Sequence, residues 1–218
     1  MDKANSGAGP ADISSATVAF DVPSAQLLAD QAAIIQDLQF VMECCKRLLS
    51  ELVKPEDERD PVVPQALWSA ALVAYARCFS TGKRKRFGLT IEDVRTLPLE
   101  GAVAEYHKWL IDMRNTNVTH PADPSENVRV GAVLSPPPAD RRLQGIVILP
   151  RSRVLVDETG VRQMGGLAAE LAKQVAENAK EQQDVVLADA QLLSMDVLYA
   201  LPPLPTQGPA ADAAGDAR

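Results

Sequence analysis

The chain has 218 residues, 46% of them hydrophobic but only 4% aromatic, and a formal net charge of −7, which allows one generous domain or two small ones. The negative balance argues against a protein whose whole surface grips nucleic acid, because Lys and Arg contacts to phosphate dominate such affinity. The charge is uneven, however: residues 61–120 hold eight basic against five acidic side chains, so a local basic site survives that exclusion.

Residues 1–22 are small, polar and without period, and residues 202–218 ("PPLPTQGPAADAAGDAR") are rich in Pro, Ala and Gly. Neither buries enough apolar surface to offset ordering entropy, so both are expected to be disordered tails around one domain at 23–200. The N-terminus lacks a basic region followed by an apolar core. No apolar run approaches the ~18 residues of a membrane span. A cytoplasmic protein with no membrane partner is expected.

Ser24 is the expected N-cap of a first helix over about 24–54. Within it Ile34, Leu38, Val41, Cys45, Leu48 and Leu52 alternate steps of four and three, and Leu27, Leu28, Ile35, Met42 and Leu49 widen the stripe. Such a broad face suits a bundle, with a coiled-coil dimer as the alternative. "KPEDERDP" then breaks the chain. A second helix over about 62–80 carries Trp68, Ala71, Leu72, Tyr75 and Phe79 on one face and stops at Gly82. The basic run Lys83, Arg84, Lys85 and Arg86 follows, in a loop reaching about Leu97.

Pro98 is expected to open a third helix over about 98–119, striped by Leu99, Val103, Tyr106, Leu110, Met113 and Asn117. From Asn127 the period changes. "NVRVGAVL", "GIVIL" and "RVLV" are short, β-branched and separated by turn residues, which predicts a small antiparallel hairpin or three-stranded meander at about 127–156. A last helical region over about 158–200 has Val161, Met164, Ala168, Leu171 and Val175 in period, with Gly165-Gly166 weakening it locally. The fold class expected is mainly α: a four-helix bundle with a small antiparallel β insertion before the last long helix.

Cys44, Cys45 and Cys78 contain no C-x-x-C pair and fall in predicted helices, so buried thiols are expected. With two histidines in the chain and no H-E-x-x-H, phosphate loop or serine elbow, no metal and no cofactor are expected.

One stretch stands apart, "LIDMRNTNVTHP" at 110–121. Arg114 lies on the third helix. His120 precedes Pro121, which pushes it out of the helical region and frees it to swing back. His107, seven residues before Arg114, shares nearly its face, and Asn117 is three residues after it. An imidazole that titrates near neutrality moves a proton to or from a ribose 2′-hydroxyl. A guanidinium holds phosphate bidentately. Together they suit metal-free phosphodiester cleavage of RNA, which alone offers that hydroxyl. The same residues also serve as a plain polar helix terminus. Lys83–Arg86 has two readings as well: RNA contact, or solvated charges complementing a helix C-terminus.

"RNTNVTHP" at the end of an amphipathic helix resembles the R-x(4–6)-H signature of the HEPN superfamily of helical bundles, with Asn115 at the polar position after the arginine. "LWSAALVAYARCF" (Leu67 to Phe79) is similar to the preceding helix in HEPN-like bacterial proteins. The resemblance covers about residues 25–120. It implies an HEPN-like bundle and, as in many members, a metal-independent RNase of toxin, defence or RNA-processing type. Arg114 would be the phosphate ligand, His120 the acid/base and Asn115 the support. The partners it implies are a second copy, RNA and an antitoxin-like protein. Other members are inactive interaction or nucleotide-binding modules, in which Arg114, Asn115 and His120 would form a structural polar cluster. The β insertion and Thr119 before the histidine depart from the minimal pattern.

Overall fold

The computed structural model describes residues 17–60, 62–80, 87–115, 128–136, 141–150 and 157–204. Over these the protein is mainly helical, with one two-stranded antiparallel sheet. The helices are α1 (Pro23–Leu52), α2 (Val62–Cys78), α3 (Ile91–Arg95), α4 (Val103–Arg114), α5 (Glu158–Gln191) and α6 (Met195–Tyr199). The strands are β1 (Val128–Leu134) and β2 (Leu143–Pro150).

α1 starts at Pro23, whose locked φ suits a first helical turn, and Val22 occupies the cap position without a side-chain bond. Ser24 is therefore not the expected cap. Its hydroxyl instead donates to Asp189 of α5, and its carbonyl accepts from Gln182 at 3.0 Å. These contacts set the start of α1 beside the end of α5, so the two long helices run antiparallel. Farther along, Gly165 lies against Cys45: a Cβ built at Gly165 would sit 3.5 Å from the Cys45 Cβ. The Gly165-Gly166 pair therefore does not interrupt α5. A Cβ at Gly165 would make ordinary van der Waals contact with α1.

α1 packs on α5 along one side and on α2 along the other, and α4 rests on α2 and α3. The predicted stripe of α1 is buried there: Ile34, Leu38 and Val41 are fully enclosed, with Cys45 and Leu48 nearly so. They meet Leu72 and Tyr75 of α2, Leu110 of α4, and Val161, Met164, Ala168, Leu171 and Val175 of α5 in one core. Each such aliphatic contributes ~1.5–3 kcal/mol by leaving water. The stripe is therefore covered within the chain, with no need of a coiled-coil dimer. The three cysteines are buried free thiols.

Three boundaries differ from expectation. α3 lies inside the segment expected as loop, opened by Thr90, whose backbone N–H and hydroxyl both donate to the Asp93 carboxylate at 2.6 and 2.8 Å. The Thr-x-x-Asp spacing is a variant of the capping box and carries that signal. Pro98 does not open the third helix, because Gly101 adopts φ +91° and interrupts the backbone, so α4 begins at Val103. The last helical region is two helices: Ser194 leaves the helical conformation and caps α6, its hydroxyl accepting from Val197 N–H.

β1 and β2 form the expected hairpin in register Val130↔Ile148 and Ala132↔Ile146, with an irregularity at Val133/Leu134 that pairs Leu134 with Leu143. "RVLV" (153–156), the possible third strand, lies outside the described residues. The inner ends of the two expected tails are clasped. Ala19 N–H donates to the Pro202 carbonyl at 2.8 Å and Leu204 N–H to that of Thr17 at 2.9 Å. Among the described residues no helix is long and apolar enough to cross a membrane.

Candidate functional site

The C-terminal ends of α2 and α4 and the start of α3 enclose a cleft of about 380 Å³. α4 supplies His107, Ile111 and Arg114, the i, i+4, i+7 positions that share one helical face, and its cap residue Asn115 joins them. α2 supplies Ala76 and Phe79, followed by Ser80, and Leu89, Thr90 and Ile91 close the other side. Arg114 is half-buried and Asn115 exposed. The Arg114 Nη1 donates to the Asn115 side-chain oxygen at 3.0 Å. That bond restrains the guanidinium at the mouth of the cleft, next to the last carbonyls of α4, where a cation is favoured by the helix dipole.

His107 lies deeper in the same cleft. Its Nδ1 is 2.8 Å from the Tyr75 hydroxyl, and its ring packs 4.4 Å from that of Phe79. Burial lowers the His107 pKa, and Lys108 lowers it further. Burial raises that of Tyr75. Burial thus disfavours the charged form of both groups, and the hydroxyl and Nδ1 share one hydrogen bond. This bond is a clip between α2 and α4, and its His107 member also walls the cleft.

Of the residues singled out in the sequence, Arg114, Asn115 and His107 come together here. His120, Asn117 and Lys83–Arg86 lie outside the described residues. Arg77 points elsewhere and pairs with Asp37 of α1 through both its Nε (3.1 Å) and an Nη. Among the described residues no group of three His, Cys, Asp or Glu side chains is placed to hold a metal ion.

Sequence reasoning missed the polar role of Tyr75, which its place in an apolar stripe disguised. It also missed Ser80 and Thr90 at the cleft wall, for which only the Thr90 cap gave a signal. A second cleft of about 680 Å³ separates α4 from α5. It is walled by Tyr106 and Trp109, whose rings stack at 5.5 Å, and the Tyr106 hydroxyl donates to the Gly160 carbonyl at 2.6 Å. Compared with protein-family models, curated proteins and solved structures, the chain gives no match.

Proposed function

We propose that this chain is an HEPN-like helical-bundle protein that cleaves RNA without a metal ion, acting in the cytoplasm as a homodimer held in check by an antitoxin-like protein. The observation that carries the reading is the Arg114–Asn115 bond at the mouth of a cleft formed by three helices. Arg114 holds the scissile phosphate and offsets charge developing on it, with Asn115 fixing its plane. His120 takes the proton from the ribose 2′-hydroxyl as O2′ bonds to phosphorus. The P–O5′ bond breaks, and the proton goes to the departing oxygen, leaving a 2′,3′-cyclic phosphate. His120 follows Asn115 by five positions and Lys83 follows Ser80 by three. Both Asn115 and Ser80 line the cleft, and this short spacing along the chain supports the reading.

A second reading is an inactive interaction or nucleotide-binding module, in which Arg114, Asn115 and His120 are a structural polar cluster. It is favoured by the histidine that lines the cleft, His107, being committed to an internal bond.

Cleavage of mixed RNA in the presence of a chelator separates the two. The catalytic reading expects 2′,3′-cyclic ends from the wild type and a rate lower by ~100-fold or more for His120→Ala, within the usual range for a lost general acid/base. RNA binding should remain. Unaltered activity in His120→Ala removes that residue from the mechanism, and binding without cleavage by the wild type supports the module.

A further inference from the structure

The β1–β2 ribbon presents an apolar face that the described residues leave open. Among the described residues its strands make their extensive contacts with each other. Cross-strand partners share a face of an antiparallel pair, so Val130 lies with Ile148, Ala132 with Ile146 and Leu134 with Leu143. Strict alternation would set Leu143 and Ile146, three residues apart, on opposite faces. The register shift at Val133/Leu134 brings Leu143 round to join them. The outcome is one continuous face of Val130, Ala132, Leu134, Leu143, Ile146 and Ile148. Its five large side chains are each 62–69% exposed.

A lone two-stranded hairpin is marginal in water, and a contiguous apolar patch of this kind marks an interaction surface. The six residues carry no charge, so a nucleic acid or a charged peptide gains nothing there. The face is instead complementary to itself, as a two-fold interface requires. Its exposed area is on the order of 600 Å², approaching the ~800 Å² that each partner of a stable pair buries. We propose that the ribbon packs face to face on that of a second copy, burying Val130, Leu134, Leu143, Ile146 and Ile148 about a two-fold axis. This rests on the homodimer within the proposed function and names its surface. Its test reads mass and amide exchange: a monomeric wild type removes the homodimer itself, whereas a dimer that survives the ribbon substitutions removes this surface alone and leaves cleavage to be judged by its own assay.

Sedimentation equilibrium of the full chain across the micromolar range tests it. The wild type should be a dimer, and Ile146→Lys/Ile148→Lys should raise the dissociation constant by ~100-fold or more, given what burial of each isoleucine contributes. Helical circular dichroism and melting should be retained, because among the described residues no helix packs extensively on the ribbon. Hydrogen exchange of the wild type adds a readout that needs no variant: amides 143–149 should gain protection as concentration rises. A wild type that stays monomeric, a double variant that dimerises as well as wild type, or ribbon protection independent of concentration overturns the proposal. So does a monomer whose ribbon gains protection only on lipid vesicles.

Discussion

The Tyr75 hydroxyl and the His107 Nδ1 meet at 2.8 Å across 32 positions of sequence, and both side chains are buried. The bond joins α2 to α4 and so fixes the helix whose last turn carries Arg114. Tyr75→Phe keeps the ring and deletes the partner of a buried nitrogen, which should cost ~1–3 kcal/mol. Urea unfolding measures it, and an unchanged midpoint would remove the clip from the account of stability.

The same histidine makes stability depend on pH. Its folded pKa lies below the ordinary 6.5 because burial disfavours the cation. Between the two values the unfolded chain binds more protons. The stabilisation is therefore complete above about 6.5 and is lost as pH falls toward the lower folded value. His107→Gln, which cannot titrate, should flatten the decline in unfolding free energy from pH ~7 to ~5. An identical slope in the variant would assign the decline to other groups.

Burial ranks the leucines. Leu38 is fully enclosed between helices, whereas Leu187 on the distal part of α5 is 57% exposed. Leu38→Ala should destabilise by ~2–5 kcal/mol and Leu187→Ala by no more than ~0.5 kcal/mol. Equal midpoints for the two variants would contradict the packing described.

Gly166 lies in the interior of α5, and a Cβ built there meets nothing within 4 Å. Glycine inside a helix costs ~0.5–1 kcal/mol relative to alanine, so Gly166→Ala should stabilise by about that amount. Gly165→Leu should destabilise, because its branch would press on Cys45 and part α1 from α5. Thermal melts of both variants test the pair of signs.

Cys45 is buried and its thiol is pushed up to about 12 by desolvation first and by Cys44 second. Since the thiolate is the reactive form, Cys45 should resist alkylation at pH ~8 in the folded protein and react readily once denaturant is added. Prompt labelling of the native protein at Cys45 would show that α1 opens there.

Arg114 separates charge from shape. If it holds phosphate through its planar fork, Arg114→Lys keeps the charge but loses bidentate contact. RNA cleavage should then fall by ~100-fold, comparable to the loss of one transition-state donor. Full activity in the lysine variant would mean that only a point charge is needed.

Much of the helical architecture was legible in the sequence because burial imposes a period. The four-and-three spacing of Ile34, Leu38, Val41, Cys45 and Leu48, and the matching run from Val161 to Val175, follow from the geometry of one helix face against a core. The change to β-branched residues after Asn127 marked the hairpin for the same reason. Local chemistry is legible where a residue bonds to its neighbours, as in the spacing of Thr90 and Asp93. Tertiary structure alone decided what depends on residues distant in the chain. Ser24 bonds to Asp189 because the helices run antiparallel, and Gly165 faces Cys45 for the same reason. Arg77 pairs with Asp37 of α1, 40 positions away. His107 shares the cleft of Arg114 through helical spacing that the sequence displayed, but its bond to Tyr75 exists only because α4 crosses α2 at that height. Periodicity records which side of a helix faces inward, but not which side chain of another helix it will find there.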